Sequence, residues 1–470
     1  MASLLDSDLP NNCEIAVCDI NGQVHYMNAQ HANVGTFTNS VEHLPKIHIT
    51  RDQLQEGKDA FLPLRGPFLQ QLSQVYFNRG TAEALQLVKS YNTFLVSHGA
   101  SVVLNILNLI QKIRLIFNPN VRYLPPTLIT KLSQTKDWQN STIRFISWHP
   151  YCNKLAVVTC DDSVRVFSAE NNNYHPILRC KEQKNITCVA WRPMSNTELA
   201  VAHGNGIILW NLDPNTLNPK PTINNALILQ RIEHKPVMSI AWSPKGELLV
   251  SVAACDNTIL VWDPELDQTS ALKRPGGHGQ VLVKWSPSGD KFLTCSNGLS
   301  FRVWDYRSWE CERWTVVSGR VQTACWSNCG KVLLFATNKE PLIYRVIVKN
   351  DTVFTADIDS SSNQALPIFE TPKVDSNGKM VGGLIQWMET DPNGKYLAVM
   401  FQETNAIAVF NILRQPCMQL IPGALINGLA EEIPTAISFV QNFNAGACLT
   451  IGWSSGRIQY YPIIYSDLVQ

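Results

Sequence analysis

Charge is what this 470-residue sequence has least of. Charged side chains make up only 16 % of it, with 39 Lys+Arg against 38 Asp+Glu. A general nucleic-acid binder carries a basic excess on its binding domain, so that class is excluded from expectation. No uninterrupted apolar run reaches the length of a membrane span. The first residues, "MASLLDSDLPNNCEIAV", place acids ahead of the first apolar run with no basic lead, which predicts no signal peptide. The 13 cysteines form no Cys-x-x-Cys pair, and Cys325 and Cys329 flank a turn without a second pair. Reduced thiols in a reducing compartment are the expectation, and no metal ligands. There is no Gly-Lys-Ser/Thr phosphate loop, no Gly-x-Gly-x-x-Gly after a strand and no His-Glu-x-x-His. The acidic pairs Asp161-Asp162 and Glu431-Glu432 are read as solvated turn residues. No catalytic residue, cofactor or small-molecule substrate is expected.

What is present is a repeated brick. In "WSPSGDKFLTCSNGLSFRVWD" (Trp285–Asp305), a turn leads into an alternating strand, then a second turn and a strand ending on Trp-Asp. Six other segments overlay it. Their first strands end on Trp148, Trp191, Trp242, Trp326, Thr390 and Phe439, alongside Trp285. Their later strands end on Phe167, Trp210, Trp262, Tyr344, Phe410 and Tyr461, alongside Trp304, always 18–22 residues downstream. After each anchor comes a turn of Pro, Gly or Asn, as in "WHPYCNK", "WSPKGE" and "TDPNGK", residues suited to fixed or positive φ. Polar turns such as "CDDS" and "ACDN" precede the next alternating strand.

Four-stranded units at roughly 40–45 residues with Trp-Asp signals mark propeller blades. The fold class predicted is all-β: a seven-bladed WD-repeat β-propeller over 138–470, with an N-terminal strand or hairpin and an α-helical segment ahead of the first blade. The Trp anchors are blade core, since packed sheets bury aromatics between them. Asp162 and Asp256 are expected to hold turn geometry. His234 and His278 sit where a blade-opening His would lie.

Residues 1–65 hold "EIAVCDINGQVHYMN" (Glu14–Asn28), two apolar runs about Asn-Gly, a hairpin signal expected to complete the last blade. Residues 66–137 switch to helical character. In "GASVVLNILNLIQKIRLIF", Ile106, Ile110, Ile113 and Phe117 belong to one apolar face, assigned to packing on the propeller, to a partner protein or, last, to a membrane surface. Residues of about 350–380 are expected to form a mobile loop between blades five and six, with "TVFTADID" as a candidate outer strand for blade five.

Several stretches resemble the Aladin family of WD-repeat nucleoporins: "DDSVRVF" (Asp161–Phe167), "CERW" (Cys311–Trp314), "SGRVQTACWS" (Ser318–Ser327), "EPLIY" (Glu340–Tyr344) and "GWSSGRI" (Gly452–Ile458). The resemblance runs from about Gly22 to Tyr465. It implies a non-catalytic scaffold of the nuclear pore complex at the nuclear envelope, tethered through a transmembrane nucleoporin. Its partners would be that anchor and other pore proteins, with indirect membrane association. Roles in nucleocytoplasmic protein transport and, at spindle poles, in mitotic spindle assembly are implied too. The chain stops at Gln470, short of the Pro-rich tail of vertebrate members, so functions resident in that tail are not expected.

Partner contacts are sought in "DYRSWECERWTVVSGR", where Arg307, Trp309, Arg313 and Arg320 supply the aromatic and Arg types favoured as binding anchors. A different class remains open. "WDYR" (Trp304–Arg307) matches the Trp-Asp-x-Arg box of propellers that serve cullin-RING ubiquitin ligases as substrate receptors, although the neighbouring blade has "WDPE".

Overall fold

The computed structural model describes residues 2–4, 14–28, 47, 49–50, 53–54, 88, 105, 129, 131–135 and 141–464, the last range apart from 170–174, 213–220, 222, 224–225, 232, 274–277, 349–364, 377–378, 403, 414–417 and 430–431. One compact unit comprises residues 1–51 and 124–470, and a second comprises 52–123. Most of the segment read as helical, including Ile106, Ile110, Ile113 and Phe117, lies outside the described residues. Among the described residues, no helix is long and apolar enough to cross a membrane.

The larger unit is a seven-bladed propeller. The inner strands of its blades are Ile143–Trp148, Cys188–Trp191, Val237–Trp242, Gln280–Trp285, Val321–Trp326, Ile385–Thr390 and Pro434–Phe439, and each heads an antiparallel sheet. Each inner strand neighbours the next, and the seventh neighbours the first, so the ring is closed. The second strand of each blade is buried nearly throughout. "KLAVVT" and "YLAVMF" illustrate this, being continuous apolar runs covered on both faces. The cores lie between blades rather than within them. Leu334, Phe369, Val399 and Phe410 join blades five and six, and Trp387, Phe439, Leu449 and Tyr461 join six and seven.

The anchor residues do more than fill these cores. The Trp191 indole N–H donates to the Ser147 carbonyl at 3.1 Å, and Trp242, Trp285 and Trp326 donate to Ala190, Ala241 and Lys284, each at 3.2 Å. Every acceptor is the residue immediately before the anchor of the preceding blade. Where blade six has Thr390 instead of Trp, its hydroxyl donates to the Trp326 carbonyl at 3.3 Å. Where blade seven has Phe439, the Glu389 carboxylate reaches across to accept from the Phe439 N–H and the Ser438 hydroxyl, both at 3.1 Å. Trp148 closes the circuit by donating to Thr450 Oγ1 at 2.8 Å. Seven blade interfaces thus carry seven directional links.

The second aromatics anchor within blades. Trp262 Nε1 donates to Ser251 Oγ at 2.8 Å, His234 Nε2 meets the same hydroxyl at 2.9 Å, and His234 Nδ1 lies 3.3 Å from Asp256. Asp256 also accepts from the Thr258 N–H. Burial alone would raise its pKa, but the His234 and Thr258 hydrogen bonds outweigh that and hold it low. Asp162 sits at φ +60° and accepts from Arg144 at 2.6 Å and from the Ile186 N–H. Trp210 and Trp304 find Gln183 and Thr294 in the same manner. Gly246, at φ +73°, has no room for a side chain, since a Cβ would lie 2.2 Å from the Pro193 carbonyl of the blade before.

The seventh blade takes its outer strands from the N-terminus. Glu14–Ile20 pairs parallel with Ile458–Ile464, and Gln23–Asn28 folds back on it through a turn with Asn21 and Gly22 both at positive φ. Ala2–Ser3 adds a parallel strand to blade five, and Leu4 enters the core between blades five and six.

Two expectations need correction. The outer strand of blade five is Leu366–Glu370, not "TVFTADID", which lies outside the described residues. Part of the presumed 350–380 loop is therefore sheet: Phe369 is fully buried against Phe410, and Val374–Ser376 pairs with Lys379–Val381. The apolar "LPIF" supplies the side chains that the blade needs, whereas composition drew attention to the Ser/Asn-rich stretch before it.

Replacing Trp242 with Phe keeps most of the buried area but leaves the Ala190 carbonyl without its donor. Urea denaturation should show a loss of about 1–3 kcal/mol, the cost of an unmet buried polar group. An unchanged midpoint would mean that the link carries no weight.

Candidate functional site: the plugged central channel

The seven inner strands surround a channel, and the chain enters it from one side. Ile129 and Leu132 pack in one apolar cluster with Met238, Val281 and Val321. The backbone beyond is held by side chains of the ring. Gln322 donates to the Ser133 carbonyl at 3.1 Å, Gln386 to the same carbonyl at 3.1 Å and to that of Thr135 at 3.4 Å. Arg320 donates to the Lys131 carbonyl, and Gln134 reaches Thr323 Oγ1 at 3.3 Å.

A recurrent β-bulge sets this geometry. The ladder between first and second strands slips at Val237/Ser239, Val321/Thr323 and Ile385/Trp387, and at the matching point in blades one, four and seven. The skipped residue lies four before the anchor. A bulge re-aims its side chain, here out of the blade. At that place blades three and four carry Met238 and Val281, which pack on the plug, while blades five and six carry Gln322 and Gln386, which bind its carbonyls. These residues were missed from sequence alone. The signal was a glutamine four before the anchor in two successive blades, "RVQTACW" and "LIQWMET".

Beyond the plug the channel keeps a cavity of about 340 Å³ that reaches Pro150 and Gln441 at the opposite ends of the inner strands. Lys284, Glu389, Ser438 and Trp387 line it, among apolar residues such as Phe145, Ile240 and Leu282. Phe145 and Trp387 face each other with ring centroids 4.9 Å apart. Burial pushes the Glu389 carboxyl above the usual carboxylate range, against the opposing pull of Lys284 and of the Phe439 and Ser438 donors.

The residues singled out for partner contact scatter. The Arg307 side chain is 80 % exposed, with Asp290 beside it at 3.3 Å. Arg313 is exposed on the outer strand Cys311–Thr315, opposite Arg302. Trp309, at φ +56°, is half-buried and packs on Phe292 and Tyr306. Arg320 is buried, and its guanidinium donates to the Lys131 carbonyl of the plug. Within the acidic turn pairs, Glu432 is less solvated than expected, and Glu431 lies outside the described residues. Glu432 is buried and held by Arg457 at 2.6 Å and by Ser455 at 2.6 Å.

Catalytic arrangements do not assemble around the apparent candidates. "GWSSG" (Gly452–Gly456) has the letters of a nucleophile elbow, but Ser454 sits in a turn between two strands, where its hydroxyl accepts from the Ile433 N–H at 3.1 Å. A nucleophile elbow instead joins a strand to a helix and leaves its hydroxyl free. Among the described residues, no group of three or more His, Cys, Asp or Glu could hold a metal ion.

Comparison with known proteins now decides the family. The family described as "Aladin seven-bladed propeller" matches residues 125–464. The chain belongs to the Aladin family. It is 25 % identical over 374 residues to "Aladin" of Arabidopsis thaliana, which covers 74 % of this chain and 80 % of that protein. It is also 24 % identical over 230 residues to "WD repeat-containing protein AAC3" of Dictyostelium discoideum, covering 46 % of this chain and 44 % of that one. In three dimensions it is similar to the β-propeller domain of Cps50 (Swd1) from Myceliophteria thermophila, with a TM-score of 0.52, 18 % identity, and coverage of 68 % of this chain and 96 % of that one. The last likeness speaks for the fold alone. The Aladin match begins at residue 125, so the family unit includes the plug as well as the seven blades.

Two outcomes follow for the channel. With Gln322 and Gln386 both changed to Ala, residues 131–135 should gain hydrogen exchange while the blade cores keep theirs; equal protection would show that the glutamines do not hold the plug. Glu389 gives a pH test. A carboxyl with a raised folded pKa binds its proton more tightly folded than unfolded, so its contribution to stability falls as pH rises from 4.5 through the folded value. Glu389→Gln keeps an acceptor oxygen, and urea midpoints across pH should fall less steeply with rising pH than in the native chain.

Proposed function

We propose that the chain is a nucleoporin-like scaffold of the nuclear pore complex, held at the nuclear envelope through a transmembrane nucleoporin and serving nucleocytoplasmic protein transport. Spindle poles are its proposed mitotic site, in support of spindle assembly. The observation that carries this reading is the Aladin-family match across plug and blades together. The physical character of the molecule supports it. A closed ring with two loop-bearing faces, nearly balanced charge and a channel entered by its own chain is suited to holding partners in fixed relation. As a scaffold it acts by binding rather than by chemistry, with no small-molecule substrate, no nucleic acid and no direct membrane span.

A second reading draws on one observation, the exposed Arg307 guanidinium following Trp304-Asp305. It would make the chain a substrate receptor for a cullin-RING ubiquitin ligase. The neighbouring blade offers the opposite charge at the equivalent place, since Glu265 is engaged by Arg192 at 2.5 Å.

A fluorescent tag on the full-length chain separates the two. The pore reading predicts a punctate nuclear rim that persists in Arg307→Ala. A diffuse nuclear signal, with a cullin-RING adaptor co-purified by the native chain and lost in Arg307→Ala, would overturn it in favour of the second.

A further inference from the structure

The plug closes one end of the channel and leaves the other as a cavity in which two donors, Lys284 and Trp387, have no hydrogen-bond partner among the described residues. Lys284 lines it, and among the described residues its ammonium forms no hydrogen bond or ion pair. Trp387, 2 % exposed, lines it too, and its indole N–H is buried without a partner, unlike the four anchor indoles that donate to neighbouring blades. An unpaired buried N–H costs about 1–3 kcal/mol. Glu389 accepts from Ser438 and Phe439 through Oε1 alone and shares the cavity electrostatically with Lys284, without a hydrogen bond to its ammonium. The remaining wall mixes apolar side chains, Phe145, Ile240, Leu282 and Val283, with polar Gln134, Ser239 and Gln441.

We propose that this open end of the channel is a binding site for a short peptide of a partner protein in which one carboxylate is flanked by apolar residues. The carboxylate would meet Lys284, a peptide carbonyl would accept from the Trp387 indole, and the flanking side chains would cover the apolar wall. Size fits this occupant, since 340 Å³ lies at the lower end of the roughly 300–1,000 Å³ typical of ligand cavities, enough for a loop tip or a chain end. Charge narrows it. A single ammonium, with Glu389 nearby, suits one carboxylate and does not make the basic cluster that phosphate-rich ligands require. The plug's Leu132, Ser133 and Gln134 line the same cavity, so the peptide would lie against the plug rather than in its place. The proposal stands on the channel alone and does not depend on the pore reading.

The test uses the full-length chain and a defined set of probes: N-acetylated, C-amidated tripeptides with central Asp or Glu between Leu, Ile, Val or Phe. The same set with central Asn or Gln is the control, and free isovalerate is a small carboxylate. Binding is followed by the indole ¹⁵N–¹H resonance of Trp387, assigned by its loss in Trp387→Phe. The acidic set should move that resonance, and the amide set should bind about ten- to a hundredfold more weakly, as for loss of a charged hydrogen bond. Lys284→Met should cause the same loss. Its backbone carbonyl, and so the Trp326 link, is untouched by the change. Should that variant be unstable, Lys284→Met/Glu389→Gln removes both charges together and should likewise lose the preference for the acidic set. Equal binding of acidic and amide peptides, no movement of the Trp387 resonance, or full affinity in the Lys284 variants would overturn the proposal. Saturation by isovalerate as tightly as by the tripeptides would overturn the peptide as occupant and assign the site to a small apolar carboxylate.

Discussion

The structure depends on one repeated interaction, the hydrogen bond that a blade's anchor residue donates to the blade before it. Apolar burial brings the sheets together, but it is non-directional and tolerates sliding. A hydrogen bond from the Trp191 indole to the Ser147 carbonyl does not tolerate it, and the same link at Trp242, Trp285 and Trp326 sets each blade against the last. The degenerate blades show how strongly the ring requires it. Thr390 supplies a hydroxyl where the indole is missing, and Glu389 extends a carboxylate to reach a blade whose anchor, Phe439, has no side-chain donor. The indole, hydroxyl and carboxylate are different chemical answers to one constraint.

Function inherits that constraint. Because the inner strands are held in register around the ring, the bulged residue four before the anchor in six of the blades arrives at the same level of the channel. Met238, Val281, Gln322 and Gln386 therefore form a seat of fixed geometry, apolar on one side and amide-bearing on the other. The seat takes a piece of the same chain. What remains of the channel on the far side is lined by Lys284 and Glu389, both adjacent in sequence to anchors and so positioned by the links themselves. The N-terminus ties the ring at two places, through Ala2–Ser3 on blade five and Glu14–Ile20 on blade seven. An Aladin-family propeller is in this way a rigid frame that carries its own stopper.

Much of the fold was legible because blades repeat. The 18–22-residue spacing from anchor to second aromatic, the Pro/Gly/Asn turns and the two Trp-Asp pairs each report local geometry, and local geometry is what sequence periodicity encodes. The plug was not legible, because its partners lie about 190 and 250 residues away and its binding atoms are backbone carbonyls, which leave no mark on side-chain type. Arg320 illustrates the difficulty. In "VVSGRVQ" it follows a Gly turn and has the composition of a surface contact, yet the orphan Lys131 carbonyl draws it inward. Arg307, one strand earlier, stays in solvent. Blade five failed differently: polar composition pointed to a loop, and the short apolar "LPIF" within it was enough for a strand once Leu342–Ile347 offered an edge.

The claim on which the rest stands is that the indole links are part of the cooperative unit rather than ornaments of burial. Hydrogen exchange of the Trp191, Trp242, Trp285 and Trp326 indole protons, followed individually by ¹⁵N NMR against the core amides of Leu199, Val250, Leu293 and Leu333, measures it directly. The account predicts that all four indoles exchange only with global opening, with the same free energy and the same urea dependence as those amides. Indoles that exchange by local motion, independent of urea and of one another, would contradict it.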